Sequence, residues 1–279
     1  MQVCVFSKHF QTMDADTLGQ TMKDLGVDGV DLTVRPRGHV EPERVADELP
    51  RFQEALARHG IAVTMLTTSI TGADEPHARG VIEAAGRAGV GCVKLGYWRY
   101  KGFGHYREQF AEARSDLRGL EPILRDNGVK AGVHTHSGMY MGLNAEFALR
   151  LVEDSDPDLV GVYYDAGHNA VEGGIGGWVM GLDLCAERLM MVAVKDYALL
   201  RMGGHDEPRK GWRDLVVPFD AGMVDWAAFF RFLREIGFDG PISFHSEYQG
   251  PFSWRDLTPE QVVEQTRKDL AYCRPLMEA

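Results

Sequence analysis

Several features that would assign a 279-residue chain quickly are missing from this one. Only four cysteines occur, Cys4, Cys92, Cys185 and Cys273, and no two are close, so neither a zinc ribbon nor a redox dithiol is indicated. Positive charge is in deficit: 30 Lys+Arg against 41 Asp+Glu leave a net charge of −11. That surplus repels phosphate backbones and anionic lipid, which argues against nucleic acid or a membrane as partner. No apolar run approaches the ~20 residues of a membrane span. Met1 leads almost directly into Val3-Cys4-Val5-Phe6 without a basic segment or cleavage site, so a cytoplasmic location is expected. No Gly-rich phosphate loop is present. No Ser/Gly/Pro-rich linker divides the chain, and residues 1–279 are expected to form one domain.

What is present is a repeat. With 44% hydrophobic residues the chain can build a large core. Strand-like runs fall at Val3–Ser7, Val30–Val34, Ala62–Thr68, Cys92–Leu95, Lys130–Thr135, Val160–Asp165, Leu189–Lys195 and Ile242–Glu247. Helix-like segments lie between and after them, at 14–25, 42–59, 75–88, 106–127, 142–154, 174–186, 223–236 and 258–274. Thr258-Pro259-Glu260-Gln261 opens the last, and Pro50 is expected to split the second. Gly26, Gly60, Gly89, Gly128 and Gly237 each follow a helical pattern and precede a strand, where a left-handed cap is needed. Eight βα units satisfy a closed (β/α)₈ TIM barrel, with a doubly wound open sheet as the alternative. The longest irregular stretches, 96–105 and 197–222, follow strands and so belong to the catalytic face of such a barrel. Within the second, Arg201 to Lys210 reads as a substrate-covering loop.

Ionisable residues gather at the strand ends. Strand alternation puts His134 and His136 on one face, and likewise His245 and Glu247. The sixth run ends in Asp165 with His168 one turn on, and the seventh in Lys195-Asp196. Burying so many such groups requires either a metal or a tight hydrogen-bond network. Imidazoles with carboxylates suit Mn²⁺, Co²⁺, Zn²⁺ or Fe²⁺ better than Mg²⁺. After the fourth run, Tyr97 and Trp98 offer rings to stack on a sugar, and Arg99 can bind an acid or phosphate.

The chain resembles the sugar phosphate isomerase/epimerase superfamily of xylose isomerase-like barrels over nearly its whole length. The resemblance is carried by Gly29-Val30-Asp31-Leu32, Gly132-Val133-His134-Thr135-His136, Asp165-Ala166-Gly167-His168, Val194-Lys195-Asp196 and Gly240-Pro241-Ile242-Ser243-Phe244-His245-Ser246-Glu247. It implies four metal ligands on strands five to eight, Glu, Asp, His and Glu. Asp165 and Glu247 match the second and fourth; His134 replaces the first, and Ala193 stands where the third would be. The resemblance thus implies a site of Asp165 and Glu247 with His134, His136 or His245, or one that has lost its metal, with the Lys195 ammonium supplying part of the missing charge.

The expected activity is proton transfer beside a carbonyl of a small carbohydrate, as isomerase or epimerase. Glu247 is the base, His134 or His168 its partner, and Lys195 an electrostatic aid; His245 and Arg201 join Tyr97, Trp98 and Arg99 as substrate contacts. The alternatives are a lyase or dehydratase acting on a keto sugar or keto glycoside, and a non-catalytic sugar-binding barrel with a decayed metal site. Assembly into a homo-oligomer is left open.

Overall fold

The structure, a computed structural model, describes residues 1–201 and 212–279. The segment 202–210 of the expected covering loop therefore lies outside the described residues.

Eight parallel strands close into a barrel: β1 (Gln2–Phe6), β2 (Gly29–Val34), β3 (Ala62–Thr68), β4 (Cys92–Lys94), β5 (Lys130–His134), β6 (Val160–Asp165), β7 (Leu189–Val194) and β10 (Pro241–Phe244). The order around the barrel is β1-β10-β7-β6-β5-β4-β3-β2. Two further strands, β8 (Asp196–Arg201) and β9 (Trp212–Val217), form an antiparallel hairpin directly after β7. The barrel strands read as continuous apolar runs because one face meets the barrel axis and the other the helices; β2 and β6 are buried throughout. Cys4, Met65, Tyr163, Met191 and Ala193 fill the axis as a small inner cluster. The larger core lies between strands and helices, where α1 (Ala15–Leu25) buries Leu18, Met22 and Leu25 at helical spacing.

The closed barrel is the architecture expected, and the five glycines take the conformation expected of them. Gly26, Gly60, Gly89, Gly128 and Gly237 have φ of 70°, 77°, 69°, 63° and 67°, the left-handed region open to a residue without Cβ. Thr258 and Gln261 form a capping box at the head of α8 (Pro259–Glu278), with Pro259 in the first turn.

Four local expectations are corrected. The second helical segment is indeed two pieces, Pro42–Arg44 and α2 (Val45–Ala57), but the break is at Arg44 and Pro50 sits inside α2. α6 (Ala166–Cys185) starts eight residues before position 174, because Asp165 caps it by accepting from the His168 N–H; Gly174, at φ 65°, only kinks it. Within the stretch 197–222, residues 197–201 and 212–217 are not irregular but belong to the paired strands β8 and β9. β5 and β10 end at His134 and Phe244, so His136, His245 and Glu247 lie in turns beyond the ladder, the Glu247 N–H donating to the His245 carbonyl at 2.9 Å.

Asp196 knots the hairpin to the loop before α7 (Trp226–Glu235). Its carboxylate accepts from the Tyr197, Met223 and Val224 N–H groups and from Trp226 Nε1 at 2.9 Å. Among the described residues no helix is long and apolar enough to cross a membrane.

Candidate active site

The C-terminal ends of the strands surround a cavity of about 90 Å³. Phe6, Lys8, Arg35, Thr67, Lys94, Tyr97, His134, His136, Tyr163, His245 and Glu247 line it. Glu247 is the one carboxylate in that wall, and each of its oxygens meets an ammonium: Oε1 lies 2.9 Å from Lys195 Nζ and Oε2 2.9 Å from Lys8 Nζ. Burial would raise the Glu247 pKa, but Lys195 and Lys8 hold it well below the usual carboxylate range. Lys195, 2% exposed, would be pushed down by burial, yet Glu247, Tyr197 and Asp165 raise it well above the ordinary value. It is therefore a permanent ammonium.

Behind the wall lies Asp165, 3.6 Å from Lys195 Nζ through Oδ2 and 3.3 Å from His134 Nε2. Burial first of all lifts its pKa to about 7. With Asp165 ionised, His134 donates through Nε2, which leaves Nδ1 to accept from the Tyr97 hydroxyl at 2.8 Å. The result is a chain Tyr97–His134–Asp165 whose first member faces the cavity. His134 also stacks on Tyr163, ring centroids 4.5 Å apart. His168 does not line the cavity: its nitrogens meet Ser137 Oγ at 2.8 Å and the Tyr197 hydroxyl at 3.3 Å. His245 stacks on Phe6 at 4.5 Å, donates to Glu247 at 3.3 Å and accepts from the Tyr163 hydroxyl at 2.9 Å. Burial pushes all four imidazoles down, His136 to about 3 and His245 to about 4, so they are neutral at pH 7.

Of the residues expected at this site, Glu247, His134, His136, His245 and Tyr97 line the cavity, and Lys195, Asp165 and His168 support them. Trp98 does not reach it; its side chain turns into the helix layer, where Nε1 donates to Asp116 at 3.1 Å. Neighbouring residues of an extended segment point opposite ways, so Tyr97 and Trp98 could not both face inward. Arg99 is exposed at the rim over Tyr140, 5.5 Å from its ring centroid. Arg201 ends β8, five residues beyond Asp196, or roughly 17 Å of strand from the cavity side. Lys8, Arg35, Lys94 and Tyr163 were not anticipated. Lys94 carries the same signal as the others, an ionisable residue closing an apolar strand.

The donors do not fit a resident divalent cation. The position between Asp165 and Glu247 is filled by the Lys195 ammonium, and both oxygens of Glu247 are committed to lysines. His134 spends both nitrogens on Asp165 and Tyr97, and Ala193 offers no donor on β7. Among the described residues no three His, Cys, Asp or Glu side chains converge as a metal would need. Of the two ways to bury these charges, the structure displays the hydrogen-bond network.

Comparison with known proteins places this barrel among others. A 3-keto-D-glucoside 4-epimerase from E. coli, in its apo form, is similar with a TM-score of 0.72 at 15% identity, over 99% of each chain. A probable 3-DHS dehydratase from Bacillus anthracis gives 0.72 at 12% identity, over 98% of this chain and 99% of that one. A xylose isomerase-like TIM barrel protein from Mycobacterium smegmatis in complex with magnesium gives 0.70 at 16%, over 99% and 97%. An uncharacterised protein of Methanocaldococcus jannaschii is 25% identical over 135 residues, 48% of this chain. The match spans 42% of that relative, so the chain covers less than half of its length. The model of the xylose isomerase-like TIM barrel family matches residues 20–275, and the chain belongs to that family.

Proposed function

We propose that this barrel is a sugar isomerase or epimerase that moves a proton beside the carbonyl of a small carbohydrate. The observation that carries this reading is the Glu247–Lys195 pair, a carboxylate in the cavity wall bonded at 2.9 Å to a buried ammonium. Removing a carbon-bound proton next to a carbonyl needs a base for the proton and positive charge where the oxygen becomes negative. Glu247 accepts the proton, the C–H electrons form the enediol double bond, and Lys195, just behind the wall, supplies the positive field in which the enolate oxygen develops. A preorganised buried ammonium suits that role without a metal, since it needs no reorganisation as charge develops.

The proton returns from the far wall. β4 lies four strands from β10 in the eight-stranded ring, so Tyr97, just past β4, stands across the cavity from Glu247, just past β10. With Asp165 protonated the chain runs the other way: Asp165 donates to His134 Nε2, His134 Nδ1 donates to the Tyr97 oxygen, and the freed Tyr97 O–H donates to the neighbouring carbon or to the opposite face of the same one, its proton being replaced along the chain from Asp165. The likeness to the 3-keto-D-glucoside 4-epimerase supports this reading. Incubating the protein with ketoses and 3-keto glycosides in D₂O tests it: deuterated isomer or epimer is expected, and Glu247→Gln abolishes its formation. Full exchange by that variant would refute the assignment.

One observation favours a second reading. The wall facing Glu247 holds a phenol and a neutral imidazole in place of a second carboxylate, and elimination needs only one base. The similarity to a probable dehydratase agrees with it. Release of water or an aglycone in the same D₂O assay would establish the lyase.

A further inference from the structure

We propose that Arg35 and Lys94 form an anion-binding site in the cavity wall, and that the carbohydrate accepted there carries a carboxylate or a phosphate. The inference rests on reading the cavity as a carbohydrate site. Lys94 ends β4 and is 2% exposed. Its Nζ stands 3.5 Å from the centroid of the Tyr97 ring, and among the described residues it meets neither a carboxylate nor a hydrogen-bond acceptor. Arg35 follows β2 directly, half-buried, with its guanidinium 5.7 Å from the Phe6 ring and likewise no ion pair or hydrogen bond among the described residues.

A buried cation without a counterion is costly, and two facing one cavity are more so. An aromatic face compensates only a fraction of the lost hydration. The carboxylates nearby are committed: Glu247 to Lys8 and Lys195, and Asp31 to the Thr67 and Ser243 hydroxyls at 2.7 and 2.9 Å. Burial, and next the Arg35 charge, depress the Lys94 pKa well below the ordinary value, against a smaller opposing pull from Asp31 and Glu247. The surplus is local, because the chain as a whole carries −11. A planar guanidinium beside a point-like ammonium suits an oxyanion, the first by a bidentate fork and the second by charge. The cavity volume of about 90 Å³ leaves room beside the two cations for an anionic head group.

Binding calorimetry without turnover tests the site, using D-fructose, D-fructuronate and D-fructose 6-phosphate at low and high salt. At least one anionic sugar should bind ~10-fold or more tighter than fructose, and the advantage should shrink as salt screens it. Which one does so separates carboxylate from phosphate. Lys94→Met and Arg35→Met should each cut the advantage about tenfold, and unliganded Lys94→Met should melt no lower than wild type, because an unpaired buried charge is gone. Should Lys94→Met not fold, Arg35→Met, at a half-buried position, still decides. Equal binding of the three sugars, or an advantage untouched in the variants, would overturn the site. Deuterium exchange confined to neutral ketoses would overturn it and leave the isomerase reading standing. Tight anion binding with no exchange in any substrate would do the reverse.

Discussion

The two arcs of the barrel mouth treat charge in opposite ways. On the arc of β7, β10 and β1, Lys195, Glu247 and Lys8 compensate one another within 2.9 Å. On the arc of β2 and β4, Arg35 and Lys94 face the same cavity, and among the described residues no carboxylate makes an ion pair with either; Asp31, on β2, is bonded to hydroxyls instead. Breaking a compensated buried pair leaves an orphan charge, at a cost of about 3–5 kcal/mol, whereas removing an uncompensated cation removes a burden. The first arc is completed when the chain folds. The second is completed when a ligand arrives.

Substitutions can break that contrast, and the largest effect is expected at its centre. Glu247→Gln should lower turnover ~10²–10⁴-fold with the fold unchanged by circular dichroism, the range that a positioned base contributes. Next, Lys195→Met removes the buried charge proposed to stabilise the enolate oxygen and should cost ~10²–10³-fold in kcat, with KM changing less. Lys8→Met is the control within the same arc. Its side chain is 39% exposed, so its pair with Glu247 is screened and its loss should cost less than ~10-fold in kcat/KM. If Lys8→Met were as damaging as Lys195→Met, burial would not be what distinguishes the two ammoniums.

The buried carboxylate behind this arc gives a pH signature. Asp165 has a folded pKa of about 7, raised by burial from the ordinary 3.8, so its stabilising contribution is complete below pH 4 and is lost as pH rises through 7. The histidines act in the other sense, since folded values of about 3 for His136 and 4 for His245 remove stability as pH falls below 6.5. Urea unfolding of wild type and Asp165→Asn at pH 4.5, 6 and 7.5 isolates the first effect. The variant should gain stability relative to wild type as pH rises, and a constant difference would show that Asp165 does not titrate. The smallest expected effect is that of chelation. With an ammonium between Asp165 and Glu247, dialysis against EDTA followed by added Mn²⁺ or Zn²⁺ should change the rate less than twofold.

The barrel was legible because its signals are local. Short apolar runs marked the strands, and the five glycines before them marked turns that need positive φ. His134, Asp165, His245 and Glu247 could be read as well, being ionisable residues that close apolar runs. The same rule reaches Lys94, which ends β4, whereas Asp31 lies inside the second run, where no such signal marks it. What no local pattern carries is partnership. That Lys195 is paired and, among the described residues, Lys94 is not depends on a contact 52 residues away in one case and on the lack of one in the other. Trp98 likewise belongs to the helix layer through Asp116, 18 residues on.

The Asp196 knot reaches beyond the residues it ties. A Cβ added at Gly222 would run into the Asp196 carboxyl group, so nothing larger than glycine fits there while the knot is tied. Gly222 lies well outside the cavity wall and touches no charge in it. Yet Asp196 adjoins Lys195 in the chain, and displacing one drags the other. The two positions are thus coupled: a side chain at Gly222 calls for a smaller one at Asp196, the residue next to the buried ammonium.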